Sequence, residues 1–340
     1  MKKKPLIIPI FIPQEGCPHR CVYCDQATIS GVSQPSWSPI AVREQVQSFL
    51  DGSRRRYPVQ VAFYGGSFTL MSEARQRQFL EPVQEFLKRG QVHSLRLSTR
   101  PDAIEVNNLR FLQTMGVKTI ELGAQSLNDK VLSASARGHS SRQVHEATQS
   151  LRQHGFEVGL QLMPGLPGDD WETFMQTVEE TIVLHPSFIR LYPTVVLSST
   201  PLERLYKRGL YLPLSLSEAI DWCKEAKKRF SRATIPIIRM GLQPTVSLEL
   251  PGRVIDGPYH PAFGHLVNSA IWNERISPVL QRASRQSPRL VILAPSHQLA
   301  DIRGHRNGNI NRWLTELRLT SLETVADDQI GVGEFRVITR

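Results

Sequence analysis

The feature that most limits the fold of this 340-residue chain is a strand-then-helix pattern that repeats as far as residue 192. Apolar runs rich in β-branched residues predict strands, and the segments between them have the periodicity of amphipathic helices. The predicted strands are residues 6–12, 59–64, 92–97, 117–122, 156–162 and 188–192, and the predicted helices are residues 40–50, 73–87, 108–115, 141–154 and 171–184. This alternation predicts an α/β fold with a parallel sheet, because each helical crossover returns the chain in the same direction. A six-unit open barrel and a doubly wound sheet both satisfy the pattern.

The loops that follow the predicted strands are unusual in composition. In parallel α/β folds, ligands bind where the carboxyl ends of the strands and their loops converge. In chain order, these loops contain the cysteine-rich segment 16–24, Gly65-Gly66-Ser67, Ser98-Thr99-Arg100-Pro101, Gly123-Ala124-Gln125-Ser126, the Pro- and Gly-rich segment 163–169, and Tyr192-Pro193-Thr194. All six loops are therefore predicted to lie on one face of the fold.

Three of the four cysteines, Cys17, Cys21 and Cys24, lie within eight residues. Thiolates at this spacing can bind three irons of a 4Fe-4S cluster and leave the fourth iron open to a small molecule. A zinc site is an alternative that needs a remote fourth ligand, and a disulfide is another. Cys223 occurs in a segment of helical character and is predicted to be a buried thiol.

The charge and the low cysteine content limit the cellular setting. Lys and Arg number 41 against 31 Asp and Glu, and the resulting net charge of +10 suggests an anionic partner such as RNA, a nucleotide or an anionic small molecule. Few cysteines favour a reducing compartment. Pro9 and Pro13 interrupt the first apolar run, so it is not expected to be a signal peptide. No segment approaches the roughly 20 apolar residues of a membrane-spanning helix, and a cytoplasmic protein is expected.

The cysteine loop, with Tyr23 before its last cysteine, resembles the cluster motif of the radical S-adenosylmethionine (SAM) enzymes. The segment around Gly65, Gly66 and Ser67 resembles the glycine-rich strand end with which that family contacts the amino group of SAM. The residues support this role independently, because glycines permit close backbone approach and free carbonyls accept hydrogen bonds from an ammonium group.

Further loops are similar to the radical SAM part of the Elongator catalytic subunit and, less closely, to oxygen-independent coproporphyrinogen III oxidase. Ser98 stands in an Elongator-type motif where relatives often carry Glu. Gln125 and Arg137 occupy segments whose Gln and Arg help to hold SAM, and a guanidinium suits the SAM carboxylate. Gln161 and Met163 belong to a motif that lines the adenine side of the pocket, although porphyrinogen relatives have Asp in place of Gln161.

The resemblance covers residues 5–250 and implies a partial (β/α)6 TIM-like barrel over residues 1–250, followed by a small accessory α+β domain over residues 251–340. It implies a 4Fe-4S cluster, SAM and a low-potential electron donor, which together cleave SAM to give a 5′-deoxyadenosyl radical. RNA, and tRNA in particular, is one expected substrate. A porphyrin-like or other small molecule is an alternative, and a nonenzymatic, metal-stabilised RNA-binding protein is another. The Elongator reaction itself is not carried over.

The C-terminal part of the sequence predicts strands at 289–294 and 334–339 and helices at 297–302 and 309–317. The turn between these helices resembles the Gly-x-x-Gly loop of KH domains, which clamps a nucleic-acid backbone, with Asn307 in place of the second glycine. Arg303, Arg306 and Arg312 are predicted to contact RNA phosphates. The alternative is a small cap whose arginines face solvent.

Overall fold

The computed structural model describes residues 5–32, 37–53 and 58–340. They form two compact units, one comprising residues up to 215 and 226–259, and the other comprising 216–225 and 260–340. The domain division at residue 250, predicted from the sequence, is retained as a proposal. Within the described ranges, no helix is long and apolar enough to cross a membrane.

The first unit is built on a parallel sheet that contains seven strands among the described residues, in the order β1-β2-β3-β4-β5-β6-β8. Its strands, with a short antiparallel β7–β9 pair, are β1 Leu6–Phe11, β2 Val59–Tyr64, β3 Ser94–Thr99, β4 Val117–Gln125, β5 Glu157–Leu162, β6 Phe188–Leu191, β7 Val196–Leu197, β8 Ile237–Met240 and β9 Val254–Asp256. Neighbouring strands follow one another in chain order, which gives a curled, partial TIM-like barrel. The six predicted strands are confirmed.

The seventh strand, β8, was not predicted. It has four residues, Ile-Ile-Arg-Met, and none of them is fully buried. A run this short lacks the continuous apolar character of the other strands, so periodicity does not detect it. Pairing with β6 holds it in the sheet.

The helices of the first unit are α1 Gln26–Ser30, α2 Pro39–Gly52, α3 Glu73–Leu80, α4 Gln84–Lys88, α5 Val106–Thr114, α6 Asp129–Ala134, α7 Ser141–Gln153, α8 Trp171–Leu184 and α9 Pro201–Lys207, and α10 Leu216–Arg232 contributes residues to both units. Four of the five predicted helices are confirmed as single helices. The helix predicted at 73–87 is divided by a 3₁₀ turn at Glu81–Val83. Pro82 explains this interruption, because proline removes a helical N–H donor and its ring clashes with the preceding turn.

A charged network lies across the strands of the barrel. The carboxylate of Glu121 on β4 pairs with Arg96 on β3 at 2.8 Å and with Arg190 on β6 at 2.7 Å, and it accepts a hydrogen bond from the Tyr64 hydroxyl at 3.2 Å. Arg190 reaches across β5, on which Gly159 is in register with Glu121 and Gln161 is in register with Arg190. These buried charges compensate one another and cross-link four strands.

The second unit contains α11 Phe263–Ala283, β10 Arg289–Ala294, α12 Leu299–Arg303, α13 Gly308–Glu316, β11 Ser321–Ala326 and β12 Arg336–Thr339. Strand β10 pairs in parallel with β11 and antiparallel with β12. The helices pack on this sheet through a core that includes Trp272, Ile276, Leu280, Ile302 and Trp313. The predicted strands and helices are confirmed, whereas α11 and β11 were not predicted.

Candidate active site

The cysteine loop is fastened to the end of β2 by backbone hydrogen bonds. The Gln14 N–H donates to the Gly65 carbonyl at 2.8 Å, and the Ser67 N–H donates to the Glu15 carbonyl at 2.8 Å. These bonds join the loop after β1 to the glycine-rich loop after β2. The predicted convergence of these two loops is therefore present in the fold.

Close backbone packing explains the glycines in these loops. A Cβ on Gly66 would lie 2.8 Å from the carbonyl oxygen of Ile12 and closer still to that of Glu15. Gly16 has a positive φ of 74°, and a Cβ there would collide with the Ser67 carbonyl oxygen. Only glycine fits both positions without displacing the cysteine loop.

The cysteine side chains are free thiols that contact polar groups from other loops. Cys17 Sγ lies 3.3 Å from the Ser67 hydroxyl, and Cys21 Sγ accepts a hydrogen bond from an Arg137 guanidinium nitrogen at 3.0 Å. Burial, together with the neighbouring Cys21 and Cys17 thiols, raises the pKa of Cys24 to about 12. A bound metal is what stabilises three adjacent thiolates in such a setting, because its positive charge offsets burial and mutual repulsion.

The side chains of Gln125 and Arg137 each contain a buried polar atom without a hydrogen-bond partner in the described part of the chain. Gln125 has a left-handed φ of 70°, which is uncommon for a non-glycine residue. Its Oε1 atom is buried and has no hydrogen-bond partner among the described residues, and the same is true of Arg137 Nε. Arg137 also donates to the Gly123 carbonyl. Buried orphan atoms next to thiols indicate a polar ligand that completes the site.

Tyr23 and Met163 pack with Cys21 in one buried cluster. The Tyr23 hydroxyl is a further buried atom without a partner in the described part of the chain. Ser98 and Gln161 are partly buried, each at the penultimate position of its strand. Met163 thus packs directly against the cysteine loop, of which Tyr23 is a part. The positions of Ser98 and Gln161 are fixed by strands β3 and β5.

Two contributors to the site were not predicted as site residues. Arg100 forms a bidentate pair with Asp102 at 2.9 and 3.0 Å and donates to the Arg137 carbonyl at 2.6 Å. Tyr211 donates its hydroxyl proton to the Gly165 carbonyl at 2.6 Å. Both hold loop backbone in position. Sequence position alone does not reveal such contacts, although Arg100-Pro101-Asp102 lies directly at the end of β3.

His139 is buried next to this region, and its Nε2 atom lies 3.2 Å from the Ala124 carbonyl oxygen. Desolvation and the nearby Arg137 guanidinium lower the pKa of His139 to about 3. The imidazole is therefore neutral at physiological pH. A neutral ring adds no positive charge beside the cysteines.

The three arginines predicted to contact RNA are placed differently from one another. Arg303 donates to the Thr324 hydroxyl at 2.6 Å, and Arg312 lies 4.0 Å from Glu316. Arg306 is exposed in the loop between α12 and α13. Of the three, Arg306 is the one without a carboxylate or strand contact in the described part of the unit, and it is exposed to solvent.

The donor set of the cysteine loop fits a cluster held by three protein ligands. Cys223 is 0% exposed within α10, and burial raises its pKa, which suits a packing role. The loop therefore presents three partly or fully buried thiols, an adjacent guanidinium and unpaired polar atoms. This arrangement fits a 4Fe-4S cluster with one open iron and a small polar molecule bound beside it.

Comparison with known proteins identifies the architecture. The sequence model of the Radical SAM superfamily matches residues 11–181, and that of the Radical_SAM C-terminal domain matches residues 186–273. Among curated proteins, the tRNA uridine(34) acetyltransferase of Methanocaldococcus jannaschii is 23% identical over 273 residues, which cover 67% of this chain and 50% of that protein. The chain thus spans about half the length of this relative.

Solved structures share the fold. The Elp3 structure from Methanocaldococcus infernus aligns with a TM-score of 0.62 at 21% identity, covering 79% of this chain and 63% of that one. Coproporphyrinogen III oxidase (HemN) from Escherichia coli aligns with a TM-score of 0.50 at 18% identity, covering 68% of this chain and 54% of that one. Both likenesses confirm the partial barrel expected from the motifs.

Proposed function

Since this chain belongs to the radical SAM superfamily and is therefore an enzyme that uses a 4Fe-4S cluster and SAM, we propose that Cys17, Cys21 and Cys24 are its cluster ligands. The observation that carries this proposal is the contact of Arg137 with Cys21 Sγ, together with the unpaired Nε atom of the same guanidinium. Membership in this family overturns the nonenzymatic alternative. The bound cluster and SAM supply an electron and a 5′-deoxyadenosyl radical.

The residues around the thiols have binding and positioning roles in this proposal. The Gly65-Gly66 segment would let the SAM ammonium group approach backbone carbonyls closely, and Ser67 would add a hydroxyl. Arg137 would hold the SAM carboxylate through Nε, which has no partner among the described residues, while its other nitrogens bind Cys21 Sγ and the Gly123 carbonyl. Gln125 would provide an amide that helps to hold SAM.

The walls of the site have a second role, which is to exclude water. Tyr23 is 8% exposed and Met163 is 9% exposed, and they pack against Cys21 at the base of the loop. We place Met163 and Gln161 on the adenine side, and Ser98 at the carboxyl end of β3, on the same edge of the sheet. A dry, preorganised pocket protects a radical from quenching by solvent and holds it near the substrate.

We propose that the substrate is RNA, and tRNA in particular. The support is the similarity to an enzyme named for tRNA uridine 34 and a net charge of +10. A cytoplasmic setting with a low-potential electron donor suits this chemistry, since free thiols persist in a reducing compartment. A porphyrin-like or other small molecule is the alternative substrate.

Anaerobic reconstitution with iron and sulfide tests the cofactor proposal. We expect broad visible absorption and reductant-dependent formation of 5′-deoxyadenosine from SAM, and both should disappear in Cys17→Ala, Cys21→Ala and Cys24→Ala. The matched control is Cys223→Ala, a buried cysteine that should leave both signals unchanged. Loss of the signals in the control alone, or their persistence in the loop variants, would reject the ligand assignment.

Mass spectrometry of tRNA and small metabolites from a deletion strain tests the substrate. A modified nucleoside that disappears on deletion and returns on complementation supports tRNA. An unaltered tRNA profile together with a changed metabolite would favour the small-molecule alternative.

A further inference from the structure

A cluster of histidines lies in the second unit, separate from the cysteine loop in sequence and not used by the proposed chemistry. The ring of His305 makes edge-to-face contacts with His260, with ring centroids 5.1 Å apart, and with His265, at 6.3 Å. His265 belongs to α11, and His305 belongs to the loop between α12 and α13. All three rings are partly buried and thus accessible to a small group.

Hydrogen bonds around the cluster set the proton positions on two rings. His260 Nδ1 accepts the Ala262 N–H at 3.0 Å, so the proton of the neutral ring resides on Nε2. His265 Nδ1 lies 2.8 Å from a carboxylate oxygen of Asp301, whose other oxygen accepts from Asn268 at 3.0 Å. Because a carboxylate oxygen accepts, the His265 Nδ1 atom is the donor of this bond.

The loop that carries His305 has a constrained backbone. Arg306 and Asn307 both have left-handed φ values, 52° and 59°, which are uncommon for consecutive non-glycine residues. The side-chain amide of Asn309 donates to the Ser269 carbonyl at 2.9 Å and the Ile302 carbonyl at 3.0 Å, and so holds the loop to α11 and α12. Strained backbone of this kind persists where the surroundings fix it, and it is concentrated at ligand sites.

Two donors at this loop have no hydrogen-bond acceptor among the described residues. Arg306 is exposed at the tip of the loop, directly after His305. Burial, and after it the nearby His305 and Arg306, lower the pKa of His260, so Arg306 lies within electrostatic range of that ring. The second donor is the Nε2–H group of His260. An anion would accept hydrogen bonds from both.

We propose that His260, His265, His305 and Arg306 form a phosphate-binding site. A metal fits less well, because Nε2 of His260 carries a proton and is a hydrogen-bond donor. The naming of RNA as the source of the phosphate rests on the proposed function. The contacts of Arg303 and Arg312 within the unit leave Arg306 as the arginine of this site.

Binding by the full-length, reconstituted enzyme tests the site. The probes are a tRNA transcript, measured by filter binding at fixed salt, and inorganic phosphate, measured by calorimetry. The variant combines Arg306→Asn, which keeps a residue that tolerates left-handed backbone, with His305→Gln. The control is Arg312→Gln, an exposed arginine of the same unit beside Glu316.

We expect the double variant to bind tRNA about ten- to hundredfold more weakly, the usual effect of removing hydrogen bonds to a charged group. The control should change affinity less than twofold. Formation of 5′-deoxyadenosine should persist in both proteins, so failure of this site is distinct from failure of the cofactor proposal. Phosphate binding without tRNA binding would support the site and reject RNA as the source of the phosphate. Equal losses in variant and control, no loss in the variant, or wild-type enzyme that binds neither probe would overturn the proposal.

Discussion

Replacement of Gly66 by alanine tests whether close backbone packing positions the cysteine loop. The added Cβ would lie 2.8 Å from the Ile12 carbonyl oxygen and nearer still to that of Glu15. Both neighbours are backbone atoms, so no flexible side chain can move aside. The loop after β1 must therefore shift away from the loop after β2.

The size of the shift follows from ordinary contact distances. Carbon atoms settle at about 3.5–4.0 Å from their neighbours, so relief of the clash requires a displacement of about 1 Å. The hydrogen bond from the Ser67 N–H to the Glu15 carbonyl, now 2.8 Å long, would be broken or distorted. Overpacking of this kind costs about 1–3 kcal/mol of unfolding free energy. A misplacement of about 1 Å at a reacting site can lower the rate about a hundredfold.

Iron content and the rate of 5′-deoxyadenosine formation, measured anaerobically on reconstituted protein, are the assay. We expect Gly66→Ala to lose about two orders of magnitude in rate. The control is Gly52→Ala at the end of α2, where no described atom lies within 4 Å of the added Cβ. A Gly66→Ala enzyme within twofold of wild type in both measurements would refute the packing argument.

Three further predictions concern buried polar groups. Glu121→Gln should lower the free energy of unfolding by about 3–5 kcal/mol, because two arginines lose their buried counter-charge, whereas the exposed Glu157→Gln should change it by less than about 1 kcal/mol in the same denaturant titration. Desolvation raises the pKa of the Asp169 carboxyl to about 6. The folded state therefore binds this proton more tightly than the unfolded state, and the free energy of unfolding falls as pH rises from about 4 to 6. Asp169→Asn should flatten that pH dependence in thermal melts. Arg137→Lys should hasten loss of visible absorption in air, because lysine cannot bond both Cys21 Sγ and the Gly123 carbonyl; an unchanged decay rate would contradict this role.

Much of the first unit was predictable because its signals are local. Strand β2 is an apolar run followed by two glycines, and both its bounds and its loop agree with the prediction. The cysteine spacing is likewise a property of eight consecutive residues. Strand β8 escaped prediction because it is held by pairing with β6 rather than by its own composition. Helix α11 was also missed, and Pro278 within it is a local helix-breaking signal.

The sequence by itself determined the order of strands and helices, the positions of the loops at one end of the sheet, and the residue types in the cysteine loop. Periodicity and short motifs contain that information, because they depend on neighbours within a few residues. Only the tertiary structure decided that Arg190 pairs with Glu121, that Gln125 has a left-handed backbone and a buried unpaired oxygen, and that His260 contacts His305. The two contacts join residues far apart in the chain, and the surroundings of Gln125 come from other segments as well. Sheet register and helix packing select these partners, and a local sequence pattern contains no information about either.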